Sequence, residues 1–316
     1  MLSTAELTII DLLITERELT VPEAVAATDY SQAHLYDVFD RLVESGLLIE
    51  RRAANNQRHV QATAHPVVEA YRTLQAELGH VEWTDLLSPA TLRVCCFLDK
   101  PRRIAAIARR LDITRQGVHK ALSPLKNRAM LSPSGPKYAL SDELSPLVSF
   151  AQAVVRHTHR NRIRTIAPSA TITWCDPSRA LVGVQSAEDR ESLTDAPDWR
   201  LTGLARFESY GLRFFLAGEP AFWFGPNQEL TPAEVVCHTL LLDSGSRCVS
   251  YAMLLIEKQA IDHRALTETA QWYGLETAIS TLCRALEDGV ANSEGTSVYL
   301  PSESAYAELK RKYGVS

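Results

Sequence analysis

The sequence predicts an α+β protein in which a duplicated, mainly helical N-terminal half precedes a region of short strands and then helices. Three observations carry this expectation. Residues 24–48 and 107–131 match at an offset of 83 residues. Short β-rich runs give way to helical periodicity after position 169. Charge is also partitioned: residues 1–86 hold 6 Lys/Arg against 14 Asp/Glu, residues 87–164 hold 15 against 4, and the remainder holds 12 against 20. The overall net charge of −5 therefore conceals a segment of +11 between two of −8.

Each copy of the repeat reads in the same order. A first helix falls near residues 4–14 and 89–98, where apolar residues such as Leu7, Ile10, Leu13 and Ile14 recur at helical spacing. A short second helix follows near residues 22–27 and 104–111, then a turn containing Asp29 or Asp112. Ser31 and Thr114 sit where a hydroxyl can cap a third helix by accepting from its free N–H groups. In that helix Leu35, Val38, Phe39 and Leu42 align with Val118, Ala121, Leu122 and Leu125, one face at i, i+3, i+4, i+7. Ser45-Gly46 is a helix-stop signal. Candidate hairpins close each copy, over residues 47–63 with a turn at Asn55-Asn56, and over residues 130–140 with a Ser-Gly-Pro turn.

Three helices and a hairpin make the winged helix-turn-helix layout. Residues 1–140 resemble the broad class of prokaryotic winged-helix transcription regulators, in pattern and in tandem duplication. The expected organisation is two tandem winged helix-turn-helix domains, residues 1–86 and 87–143, a basic connector helix over 144–168, and a mixed α+β C-terminal domain over 169–316.

A concentrated basic segment is the electrostatic footprint of a polyanion, most often nucleic acid. In the second copy the third helix offers Arg115, Gln116, His119 and Lys120, with Ser123, Lys126 and Arg128 further along. Arg bonds guanine bidentately and Gln pairs with adenine, so these residue types suit base edges in the major groove. Arg102, Arg103, Arg109 and Arg110 on or beside the second helix, Lys137 in the hairpin, and the helix end capped by Thr114 suit phosphates. The first copy offers Ser31, Gln32, His34 and Tyr36 on its third helix and Arg51, Arg52 and Arg58 in its hairpin. Asp37, Asp40 and Glu44 oppose a phosphate there. Double-stranded DNA is thus the expected partner, read chiefly by the second copy, and a solvated basic face masked by the acidic flanks is the bland alternative.

The connector, residues 146–168, opens on Ser145-Pro146, and Leu147, Phe150, Val154 and Val155 give it a helical face. Its later half carries four Arg and two His. His157-Thr158-His159 lacks a carboxylate or thiol at ligand spacing, so no metal is expected. Beyond it, residues 169–176 and 180–186 read as strands around an Asp176-Pro177 turn, a further apolar run covers 211–218, and the aromatic stretch 218–226 reads as a buried loop or short strand. Phe214, Phe215, Phe222, Trp223 and Phe224 are expected in the core rather than around a ligand. Thr231-Pro232-Ala233-Glu234 is a capping box, and helices follow it to about position 289. The stretches Trp199–Phe207, GEPAFWFGP, 238–258 and 272–276 are similar to archaeal regulators whose C-terminal region is similar to AbiEi-type antitoxins. That resemblance implies a winged-helix autorepressor or an antitoxin. The tandem duplication departs from the single N-terminal domain usual there, and no catalytic residue carries over.

The sequence holds no GxSxG, HExxH, P-loop or GxGxxG motif, so no enzyme and no cofactor are expected. Asp243, Glu257 and Lys258 match a nuclease-like set only as charges punctuating helices. None of the six cysteines forms a CxxC pair, the reading of reduced thiols in a cytoplasm. No long apolar window predicts a membrane span, and Glu6 and Asp11 interrupt the apolar N-terminus where a signal peptide would not. The sequence therefore favours a DNA-binding regulator, a repressor acting by occlusion, with the C-terminal domain forming a homodimer or holding a cognate protein. An antitoxin or adaptor acting through protein contact is the first alternative, and a DNA-processing enzyme the second.

Overall fold

The 83-residue repeat returns as a repeat of elements. The computed structural model describes residues 1–52, 57–213, 220–226, 228–289 and 298–315. The first copy contains α1 (Thr4–Glu16), β1 (Glu18–Thr20), α2 (Val21–Ala27), α3 (Gln32–Glu44), β2 (Leu48–Arg52) and β3 (Arg58–Ala62). After α4 (Pro66–Leu78) and α5 (Trp83–Leu86), the second copy contains α6 (Pro89–Cys95), β4 (Arg102–Arg103), α7 (Ile104–Leu111), α8 (Arg115–Asn127), β5 (Leu131–Ser134) and β6 (Lys137–Leu140). Adding 83 to the bounds of α3 gives those of α8. Both sheets are antiparallel and share one topology, β1-β3-β2 and β4-β6-β5, in which the closing hairpin pairs with the short strand before the second helix.

The local chemistry of the two copies is also shared. Ser31 accepts from the His34 N–H at 3.4 Å, and Thr114 from the Gly117 N–H at 3.0 Å, so each hydroxyl satisfies an N–H that the first helical turn leaves open. Inward, α3 buries Leu35, Val38, Phe39 and Leu42, and α8 buries Val118, Ala121, Leu122 and Leu125. Two elements were not anticipated in their form. Arg102 and Arg103, expected on or beside a helix, form a two-residue strand because Tyr138 and Lys137 pair with them. The first helix of the second copy ends at Cys95 and continues as a turn, with the Phe97 and Leu98 N–H groups bonding the Val94 and Cys95 carbonyls.

A last helix, α9 (Ser145–Arg164), closes this half. Its Phe150 ring packs 5.0 Å from Tyr71 of α4, and the Tyr71 hydroxyl donates to Asp11 of α1 at 2.8 Å. The chain divides into two packed units, Met1–Asn161 and Arg162–Ser316.

The second unit is α+β. Its antiparallel sheet has the order β7 (Thr171–Cys175), β8 (Ala180–Gly183), β10 (Ala221–Phe224), β9 (Trp199–Thr202), with α10 (Ala187–Asp195) between β8 and β9. Side chains alternate across β10, as a strand requires. Phe222 and Phe224 enter a core with Ile172, Val182 and Leu193, whereas Trp223 enters the larger core of α11 (Pro232–Leu242), α12 (Ser246–Lys258), α13 (His263–Ala270), α14 (Glu276–Asp288) and α15 (Glu303–Tyr313). The Trp223 ring lies on Gly225, where an added Cβ would come within 2.3 Å of it. The capping box at Thr231 and Glu234 forms as expected, Asp262 caps α13, and Asp176 accepts from the Ser178 and Arg179 N–H groups at its turn. In the apolar run 211–218, Gly211 ends a tight helical turn and Leu212 is buried, while Phe214, Phe215 and residues 216–218 lie outside the described residues, as does the Asn55-Asn56 turn.

Candidate nucleic-acid interface

On α8 the burial of Val118, Ala121, Leu122 and Leu125 fixes the opposite face outward. That face carries Arg115, Gln116, His119, Lys120, Ser123 and Lys126, all exposed. Helical neighbours lie three or four positions apart, so these side chains form one stripe along the helix. Thr114 at its start and Arg128 at its end are exposed as well. No Asp or Glu occurs between Asp112 and Asp142. Lys137, at the tip end of the hairpin beside β5, and Arg103 and Arg109 are exposed on the same copy. Pro124, inside α8, brings no N–H, so the helix carries it at the cost of one backbone bond in its last turn.

Two residues expected on this surface are placed differently. Arg110 is 7% exposed, one turn beyond Ile107 on the buried side of α7. The Arg102 Nε donates to the Phe97 carbonyl at 2.9 Å, and its guanidinium lies 3.9 Å from Asp99. Both serve the interior and the turns of the copy, because a cation beside a buried carbonyl or on a packed helix face is held by the protein rather than offered to a phosphate.

The first copy has the same skeleton and a different surface. Ser31, Gln32, His34 and Tyr36 are exposed on α3, but so are Asp37, Asp40 and Glu44. In its hairpin, Arg51 and Arg52 are exposed and Arg58 is not. Arg58 lies 2.7 Å from Asp40 and 3.0 Å from Glu50, and the Arg52 Nε lies 3.2 Å from the other Glu50 oxygen. Two of the three hairpin cations expected at phosphates, Arg52 and Arg58, are thus matched by carboxylates of their own copy. Sequence reading missed this pairing because Glu50 and Arg58 become diagonal neighbours only once the hairpin has formed.

Burial pushes the Cys95 thiol up to about 12, and burial with the Asp243 carboxylate pushes Cys248 to about 11. None of the six cysteines is in a disulfide. In the second unit a buried chain runs from the Thr202 hydroxyl to His238 Nδ1 at 2.8 Å and from His238 Nε2 to the Tyr273 hydroxyl at 3.0 Å. Among the described residues no group of three His, Cys, Asp or Glu side chains is arranged to hold a metal ion, and no helix is long and apolar enough to cross a membrane.

Residues 196–315 match a protein-family model described as HVO_2833_C, C-terminal. The match lies within the second unit and covers less than half of the chain, and its description states no activity. No curated protein and no solved structure matches the chain.

Proposed function

We propose that the chain is a sequence-specific DNA-binding transcription regulator of the cytoplasm. It is built on two tandem winged helix-turn-helix domains and represses by occupying its site. The observation that carries the reading is the outward face of α8. Six polar or basic side chains share it, and no carboxylate occurs within residues 113–141. The shared order of elements in the two copies and their common β1-β3-β2 and β4-β6-β5 topology support the winged-helix assignment. In such a domain the third helix enters the major groove, where Arg115, Gln116, His119 and Lys120 reach base edges, while Arg103, Arg109 and Lys137 meet the backbone. The first copy, with Arg52 and Arg58 matched internally, contributes packing more than phosphate contact. The acidic second unit serves assembly or partner binding.

Selection of bound fragments from random duplexes by the full chain tests this reading. A recurring sequence motif is expected for the wild type and its loss for Arg115→Ala/Lys120→Ala. Recovery of no motif, with a well-folded protein, contradicts it.

A further inference from the structure

Ile113 stands just ahead of Thr114, the cap of α8. It is 37% exposed, and among the described residues of the second copy it is the one large apolar side chain left exposed. An apolar residue in this place ordinarily covers the fourth residue of the helix, here Val118. Val118 is fully buried, yet more than a third of Ile113 still faces water. Its position is firm. The Ile113 N–H bonds the Ala108 carbonyl at 3.0 Å, and a β-branched side chain has few rotamers to choose from.

Gly117 faces it from the first turn of α8. It is half-buried, at the margin of the outward stripe and three positions before its helical neighbour Lys120. A Cβ added there would lie 3.9 Å from the Ile113 side chain and 3.4 Å from Thr114 Oγ1, ordinary contact distances, and the backbone is not left-handed. Neither crowding nor conformation therefore asks for glycine, and glycine weakens a helix relative to alanine. Its effect is to leave Ile113 uncovered. The first copy shows the contrast. Tyr30 and His34 stand 83 residues back from Ile113 and Gly117, and their rings pack 5.3 Å apart.

The first residues of a recognition helix are those that meet base edges. Of the groups that the major groove presents, the C5-methyl of thymine is apolar, and the others are hydrogen-bond donors and acceptors that gain nothing from isoleucine. We infer that Ile113 and Gly117 form a notch that takes the C5-methyl group of a thymine. The inference rests on the DNA-binding reading above and adds to it a specificity-determining contact that needs no hydrogen bond.

Uracil in place of thymine removes this methyl and leaves the pairing edge as it was. Fluorescence anisotropy of the full chain tests the inference, with duplexes that carry the selected motif and have each thymine replaced in turn by uracil. The duplexes are synthetic and unmethylated, so thymine is their one source of the group. Wild type should bind about fourfold more weakly with uracil at the contacted position, the worth of one buried methyl. Ile113→Thr keeps the branch at Cβ and trades its longer arm for a hydroxyl, and the preference for thymine at that position should vanish. Gly117→Ala strengthens the helix but fills the notch, so the preference should shrink there too, and this variant keeps the test open if Ile113→Thr melts early. An unchanged preference in both folded variants, or a motif in which no thymine is sensitive to uracil, overturns the inference. The α8 reading then stands if the motif is still lost in Arg115→Ala/Lys120→Ala. Tighter binding of 5-methylcytosine than of cytosine that depends on Ile113, with no cost of uracil, would overturn the assignment to thymine. Wild-type protein that selects no motif would overturn both readings.

Discussion

Gly46 and Ala129, 83 residues apart, occupy the same position just past the third helix of each copy, and both are left-handed, with φ of +78° and +56°. The bonds around them match as well. The Leu47 and Met130 N–H groups close back on the Leu42 and Leu125 carbonyls at 2.9 and 3.0 Å. Glycine takes this conformation freely, whereas alanine is strained in it. Ala129→Gly should therefore stabilise the N-terminal unit by roughly 0.5–1 kcal/mol, the relief of strain exceeding the added freedom of the unfolded chain. Gly46→Ala should destabilise it by about 1 kcal/mol or more. Denaturant melts of the two variants check both signs, and a loss of stability in Ala129→Gly would count against the shared turn.

Arg58 in the first hairpin pairs with Asp40 and Glu50, whereas Lys137 in the second is exposed. Arg58→Gln should leave duplex affinity within about twofold, since the side chain is already matched, and should cost less than about 1 kcal/mol of stability because its partner Asp40 is exposed. Lys137→Gln, on the exposed second hairpin, should weaken binding and lower the salt slope by about 0.9. Anisotropy titrations of the two variants side by side decide it, and a larger loss for Arg58→Gln would reverse the roles assigned to the copies.

Arg115 and Arg109 are both exposed, yet on different helices. Replacing Arg115 with Ala should cost about 1–3 kcal/mol on the preferred sequence and relax base preference at one position. Replacing Arg109 should weaken all sequences alike. Binding of each variant to a panel of single-base operator changes distinguishes the patterns.

His65 predicts a pH dependence for the N-terminal unit. Burial lowers its pKa below the ordinary 6.5, so folding favours the neutral ring. Its Nδ1 accepts from the Val67 N–H at 3.1 Å, which leaves Nε2 as the protonated nitrogen, 3.2 Å from His157 Nδ1. The unfolded chain binds the proton more readily. Stability is then fully present above the unfolded value and is lost as pH falls through it toward the lower folded value. Melting temperature should drop between about pH 7.5 and 5.5, and His65→Asn, which keeps an acceptor at the cap, should flatten the drop. An unchanged pH profile in that variant would locate the dependence elsewhere.

Much of this architecture was legible because its signals are local. The period of Leu35, Val38, Phe39 and Leu42, the hydroxyl caps and the Thr231–Glu234 box all lie within one or two helical turns, so α3, α8 and α11 follow from sequence alone. What escaped depends on partners distant in the chain. The β4 strand exists through Tyr138 and Lys137, some 35 positions on, and Arg102 through Phe97 and Asp99 at a turn. Arg110 resembles its exposed neighbour Arg109 in the chain, and only the packing of α7 separates them. The helices α5, α10 and α15 went unread because short or strongly polar stretches give weak periodicity, whereas α4 was missed although Val67, Val68, Tyr71 and Leu74 recur at helical spacing. The outward face of α8 was read correctly as a surface, since the buried face alone determines it.

The central claim, that α8 is the DNA-reading helix, is tested most directly by duplex affinity of the full chain between about 50 and 200 mM salt, wild type against Arg115→Ala/Lys120→Ala. The account predicts a steep salt-dependent loss of affinity in the wild type and the disappearance of preference for the selected motif in the variant. Salt-independent or absent binding in the wild type, or an unchanged motif preference in the variant, would contradict it.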